Sequence, residues 1–130
     1  SLNDGLNNAV LSVLDEIKED IAHHGENPVY ISGHSLGGGL GQVLAFYLIQ
    51  AGFTVAELLM QGSIRAGDKA FCDYIQSHVE SMRFEWAWGD PVPYVLPWLA
   101  LPCEPEYIVE ERWWVDFDLV NGVHSKAYVV

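Results

Sequence analysis

Val29-Tyr30-Ile31-Ser32-Gly33-His34-Ser35-Leu36-Gly37-Gly38-Gly39 is the stretch on which the reading of this chain turns. Val29 to Ser32 is a short apolar run, the pattern of a strand buried on both faces. Gly33 to Gly37 then turns the chain sharply. A helix follows through Leu40, Val43, Leu44, Tyr47 and Leu48 to about Ala51, with Gly52 as its C′ residue. The turn itself is a G-x-S-x-G pentapeptide. A serine on so tight a strand-to-helix turn is held in a strained backbone conformation with its Oγ exposed. The residues two before and two after it approach each other, so both should lack a side chain, as Gly33 and Gly37 do. The helix that follows aims free N–H groups and the positive end of its dipole at the serine, where an oxyanion would form. The glycines lack the G-x-x-x-x-G-K spacing of a phosphate loop.

Outward from this point the chain alternates. Upstream, Leu6, Val10, Val13, Ile17 and Ile21 recur at helical spacing, which predicts one helix capped by Asn3 or Asp4 and stopped by Gly25 and Pro28. Downstream, Val55 to Gln61 reads as a strand and Gly62 to Gly67 as a loop. Asp68 opens a helix through Phe71, Tyr74, Ile75 and Val79. Arg83 to Trp88 reads as a third strand, closed by Gly89. Pro91 to Cys103, with four prolines, is an ordered loop. Val115 to Leu119 alternates strictly and predicts a half-exposed strand of an antiparallel hairpin, before the Asn121-Gly122 turn. Helix, strand, helix, strand, helix, strand points to a mostly parallel α/β sheet. The length of 130 residues fits one domain with room for about four such strands.

Half the residues are hydrophobic and the formal charge is −12, from 6 basic and 18 acidic side chains. Such a chain buries a core, and it is a poor partner for nucleic acid or an anionic membrane surface. Cys72 and Cys103 are too few for a disulfide framework and lack metal-site spacing; they are a single bridge or two buried thiols, and the redox compartment stays open. No apolar stretch is long enough to span a bilayer, and the N-terminus lacks the pattern of a signal peptide, so localisation is unassigned.

A serine hydroxyl needs a base, and the base needs an orienting acid. Parallel sheets place such groups just past the carboxyl ends of their strands. Asp90 follows the Arg83–Trp88 strand across Gly89, and His124 follows the Val115–Val120 strand across Asn121-Gly122. Asp90 also reads as a turn residue before proline. The rival histidines fit worse. His34 adjoins Ser35 and would point away from its Oγ, His78 lies late in a helix, and His23 and His24 end the first one. Adjacent histidines on a helix do not share a face, so His23, His24 and Glu26 make no metal site. Asp68 reads as a helix N-cap, and Asp116 and Asp118 alternate outward.

With these residues in place, the chain resembles the class 3 lipases, the fungal-type triacylglycerol lipase family of α/β-hydrolases. Val29 to Gly39 looks like that family's nucleophile elbow. Gly62-Ser63-Ile64-Arg65-Ala66-Gly67-Asp68 looks like its glycine-x-proline-arginine-x-glycine loop, with Ile64 where the family usually has proline. Asp90-Pro91-Val92-Pro93 through Leu96-Pro97 looks like the segment of the catalytic aspartate, and His124-Ser125 with Tyr128 like that of the catalytic histidine. The resemblance implies an α/β-hydrolase three-layer sandwich, here only its C-terminal half, so residues 1–130 are expected to be a fragment without the N-terminal strands and lid. It implies Ser35, Asp90 and His124 as the triad, with the backbone N–H of Leu36 as one oxyanion donor. The second donor, from an earlier strand-to-helix loop, has no candidate in residues 1–28.

The expected function is hydrolysis of triacylglycerol or related lipid esters through an acyl-enzyme, with no metal or organic cofactor. The alternative is a non-catalytic lipase-like module, because loss of one oxyanion donor costs about 10²–10³ in rate. Pro93, Tyr94, Val95, Leu96, Trp98 and Leu99 are candidates for an apolar substrate wall, with ordinary packing the competing role. The negative charge leaves a neutral lipid interface open as a peripheral partner. The strand Val29–Ser32 would be central in an intact hydrolase sheet, so self-association or a missing N-terminal segment is expected to cover its edge.

Overall fold

A computed structural model describes residues 2–25 and 28–108. Two helices come first, α1 (Asp4–Leu11) and α2 (Leu14–His23). They are followed by β1 (Val29–His34), α3 (Leu36–Gln50), β2 (Val55–Gln61), α4 (Lys69–His78), β3 (Ser81–Ala87), a 3₁₀ turn (Val92–Tyr94) and β4 (Pro105–Ile108). The four strands form one parallel sheet in chain order, β1-β2-β3-β4. The expectation of a parallel α/β sheet holds. Both crossovers step in the same direction, and connections of one hand then put α3 and α4 on the same face.

That face holds the core. Ile31, Leu58, Met60, Phe84 and Trp86 of the strands meet Val43, Ala45 and Leu48 of α3, Phe71 and Ile75 of α4, and Leu6, Val10 and Leu14. The opposite face carries Tyr30, Ser32, Glu57, Leu59, Arg83 and Glu85, none of them buried, and no described helix lies on it. Two layers of the expected sandwich are therefore present among the described residues. Along this face Arg83 grips Glu106 through Nε–Oε1 at 3.3 Å and Nη2–Oε2 at 3.1 Å, which ties β4 to β3. The same arginine holds the Glu106 carboxyl below its ordinary range.

Several boundaries differ from the sequence expectation, each for a local reason. The single front helix is two, because Ser12 Oγ donates to the Ala9 carbonyl at 2.6 Å and ends α1. The break shifts the apolar phase: Leu14 takes the buried place and Val13 is exposed. β3 begins at Ser81, which pairs with Glu57, and ends at Ala87, leaving Trp88 and Gly89 as a turn. β4 lies just past the proline-rich loop, at a place where no strand of the parallel sheet was expected; Pro105 stands at its first position, where a strand tolerates a missing N–H. The predicted strand Val115–Leu119 lies outside the described residues.

Caps follow the sequence closely. Asn3 accepts from the Leu6 N–H and Asp68 from the Phe71 N–H. At the end of α3 the N–H of Gly52 (φ +93°) reaches Ile49 and that of Phe53 reaches Leu48, a Schellman closure. Both cysteines are free thiols, Cys72 buried and Cys103 half-buried. Among the described residues no helix is long and apolar enough to cross a membrane.

Candidate active site

Ser35 is the single residue between β1 and α3. Its φ of 59° and ψ of −122° put a non-glycine residue where L side chains rarely go, a strain of about 1–3 kcal/mol that the surroundings must hold. They do so through the main chain. The Ser35 N–H donates to the Gln61 carbonyl at 3.0 Å, and the Ser35 carbonyl accepts from Gly38 at 3.1 Å and Ile64 at 3.3 Å. A Cβ on Gly33 would stand 2.2 Å from the Gly37 carbonyl oxygen, so this glycine is required. The expectation for its counterpart is corrected: a Cβ on Gly37 would meet nothing within 4 Å, since the close approach is made by the Gly37 main chain and not by its Cα substituent. Gly38 is the second obligatory glycine, with its would-be Cβ 2.3 Å from Ser63 Oγ.

Below the turn, Gln42 is fully buried in α3 and its Nε2 donates to Ser63 Oγ (3.2 Å) and the Ile64 carbonyl (3.0 Å). It braces the loop whose Ile64 N–H holds Ser35. Sequence reading missed it; the available signal was an amide in the interior of a largely apolar helix. The backbone N–H of Leu36 opens α3, in the first turn where N–H groups have no intrahelical acceptor.

Asp90 lies past the end of β3 and is 1% exposed. Gly89 (φ +85°) turns the chain, and the Asp90 N–H donates to Ala87. Asp90 Oδ1 accepts from the Val92 N–H at 3.0 Å, while its carbonyl accepts from Trp86 Nε1 at 3.0 Å. The turn role considered for Asp90 is therefore real. It leaves the buried carboxylate at the same end of the sheet as Ser35, two strands away. Inter-strand spacing makes that about 10 Å. His124 lies outside the described residues.

The other histidines lie on the surface. His78 stacks on Tyr74 and bonds its carbonyl through Nδ1, and the His24 ring bonds the Asp20 carbonyl. Arg65 was unassigned by sequence reading. Its Nε donates to Pro93, and its Nη1 to Pro97 and Leu99, all at main-chain carbonyls of the segment after Asp90.

The model of the family Lipase (class 3) matches residues 2–99. The chain belongs to the class 3 lipases. It is 33% identical over 98 residues to the secreted mono- and diacylglycerol lipase A of Penicillium cyclopium, an alignment covering 73% of this chain and 32% of that protein. A crystal structure of a mutant of MDLA from Penicillium cyclopium superposes with a TM-score of 0.68 at 24% identity, over 85% of this chain and 43% of that one. A triacylglycerol lipase whose catalytic centre is described as a serine protease triad superposes with a TM-score of 0.62 at 26% identity, covering 74% and 39%. The fold is thus that of the α/β-hydrolase lipases. The chain spans about a third of the length of the curated relatives it matches.

Proposed function

We propose that this chain carries the nucleophile and the acid of a serine ester hydrolase acting on lipid esters. The observation that carries the reading is the backbone of Ser35: a positive φ on a non-glycine residue, at a helix N-terminus, above a glycine with no room for a side chain. Strain of this kind persists where a side chain must be presented. In this reading Ser35 Oγ attacks the acyl carbonyl as His124 takes its proton. The oxyanion forms against the Leu36 N–H, and Asp90 holds the imidazole. Collapse expels the alcohol, protonated by His124, and water then releases the acyl group from Ser35. A gap of about 10 Å between strands β1 and β3 suits a histidine between serine and aspartate, since an imidazole and its two hydrogen bonds bridge most of it.

The substrate class follows from the relatives' names and from the surface beside the site. From Trp88 to Cys103 the only charged side chain is Asp90, which is buried. Trp88, Tyr94 and Trp98 are 64%, 63% and 75% exposed. In a chain of charge −12 this uncharged aromatic surface suits a neutral lipid interface. The reading also includes more of a hydrolase domain than is described. β1 is at one end of the sheet, beside an apolar groove lined by Val13, Ile17, Ile31, Leu40 and Leu44, and a further segment or a second copy would cover both.

A fluorophosphonate probe tests the core of the proposal. Wild type is expected to be labelled at Ser35 and Ser35→Ala not at all; equal labelling of the two ends the assignment.

A further inference from the structure

Ser35 and Leu96 are the two non-glycine residues with positive φ among those described, at 59° and 60°. Leu96 precedes Pro97, and the residue before a proline is already restricted by the ring. A branched side chain in the left-handed region adds a second penalty. The Leu99 N–H closes a turn back onto the Leu96 carbonyl at 3.0 Å, and the Ala100 N–H reaches Gly67 at 2.9 Å.

A further grip comes from Arg65. Its Nε meets the Pro93 carbonyl at 3.0 Å, and its Nη1 meets Leu99 at 3.0 Å and Pro97 at 3.3 Å. These three carbonyls flank Leu96 on both sides. A guanidinium presents fixed donors from separate nitrogens in one plane, a spacing that the single ammonium nitrogen of a lysine does not reproduce. Pro93 belongs to the turn Val92–Tyr94, whose first N–H is held by Asp90 Oδ1. Arg65 and Asp90 therefore grip the same turn from opposite sides.

We propose that Arg65 is a positioning residue for the acid of this site: it latches the strained loop 91–99 and thereby fixes the place of Asp90. The catalytic part of this inference rests on the hydrolase reading above, whereas the latch itself does not. Displacing a reacting group by an ångström through a remote change costs about 10²-fold in rate. Arg65→Ala is accordingly expected to lower the limiting rate of Ser35 labelling by about 10–100-fold, with the half-saturating probe concentration unchanged. Millimolar methylguanidinium is expected to restore part of the rate. Arg65→Lys keeps the charge but not the fork, and should fall between the two.

Amide hydrogen exchange over residues 92–99 supplies a readout independent of chemistry. It should accelerate in Arg65→Ala and slow again with methylguanidinium. A wild-type labelling rate in Arg65→Ala or Arg65→Lys, or a loss seen only in the half-saturating concentration, overturns the positioning role. Unchanged exchange overturns the latch. If wild type is not labelled at Ser35, the hydrolase reading fails and exchange alone decides the latch. If Arg65→Ala does not fold, labelling and exchange of Arg65→Lys decide both points in the same way.

Discussion

The two ends of the candidate site are held by different means. At Ser35 the strained backbone is fixed by its own neighbourhood: main-chain hydrogen bonds to Gln61, Gly38 and Ile64, and the contact of Gly33 with Gly37. Around Leu96, whose φ is nearly equal, the flanking carbonyls are met by a side chain from about thirty residues earlier. One strain is held by main-chain groups, including those of β2 and the loop after it; the other is contacted by a side chain. A loop of the second kind is expected to loosen when that arginine is lost.

The largest effect that would sharpen this contrast is expected at Asp90. Asp90→Asn keeps an Oδ1 acceptor for the Val92 N–H, so the loop should stay in place, while the charge proposed to fix the imidazole tautomer is removed. The serine-protease precedent gives a loss of about 10⁴-fold, to be read as the limiting rate of Ser35 labelling. An unchanged rate would leave Asp90 as a turn residue only. Next in size is Gly33→Ala, whose methyl would meet main-chain atoms that cannot swing aside. It should cost about 3 kcal/mol or more in urea unfolding, whereas Gly37→Ala should stay within about 1 kcal/mol of wild type. Equal costs at the two positions would break the account of the elbow.

Smaller still is the expected effect of Trp98→Ser, on the exposed flank of the latched loop. It should reduce turnover of an emulsified neutral ester while leaving a soluble short-chain ester unaffected. Equal loss on both substrates would place Trp98 in the substrate wall instead.

The smallest effect lies at the foot of the same loop, where Cys72 Sγ faces the Ala100 carbonyl at 3.6 Å. Burial pushes its thiol up to about 12, and that of Cys103 up to about 11, from an ordinary value of 9.0. Folding therefore holds protons that the unfolded chain releases above about pH 9. Stability should decline from there until the folded thiols titrate, and both should alkylate slowly at neutral pH. Cys72→Ala should flatten the alkaline decline in unfolding midpoint; an unaltered decline would refute the assignment to this thiol.

What was legible in the sequence follows the same division. The elbow, the caps at Asn3 and Asp68 and the Gly52 closure are local chemistry, written within a few residues. β2 was read from Val55 to Gln61 and found there, because an apolar run in a central strand has no competing pattern. The break at Ser12 escaped because the apolar spacing across it still matched a helix, and a serine hydroxyl decided otherwise. β4 escaped because prolines dominate its approach. Ser35 and Asp90 were singled out from their places after strands, and both lie at the same end of the described sheet; Arg65 stands in a family-like loop, but its contacts, like those of Gln42, reach across 28 and 21 residues to groups that no motif spacing encodes.

The sheet order carries a last consequence. Because β1, β2, β3 and β4 are neighbours in the order of the chain, every new strand emerging during synthesis meets an edge already laid down by its predecessor. Among the described strands none waits for a partner not yet made, and each crossover closes a short loop, which keeps the entropy of strand pairing low. The described sheet can thus be assembled vectorially, one βα unit at a time, with Ser35 set in its turn as soon as β2 brings the Gln61 carbonyl beside it.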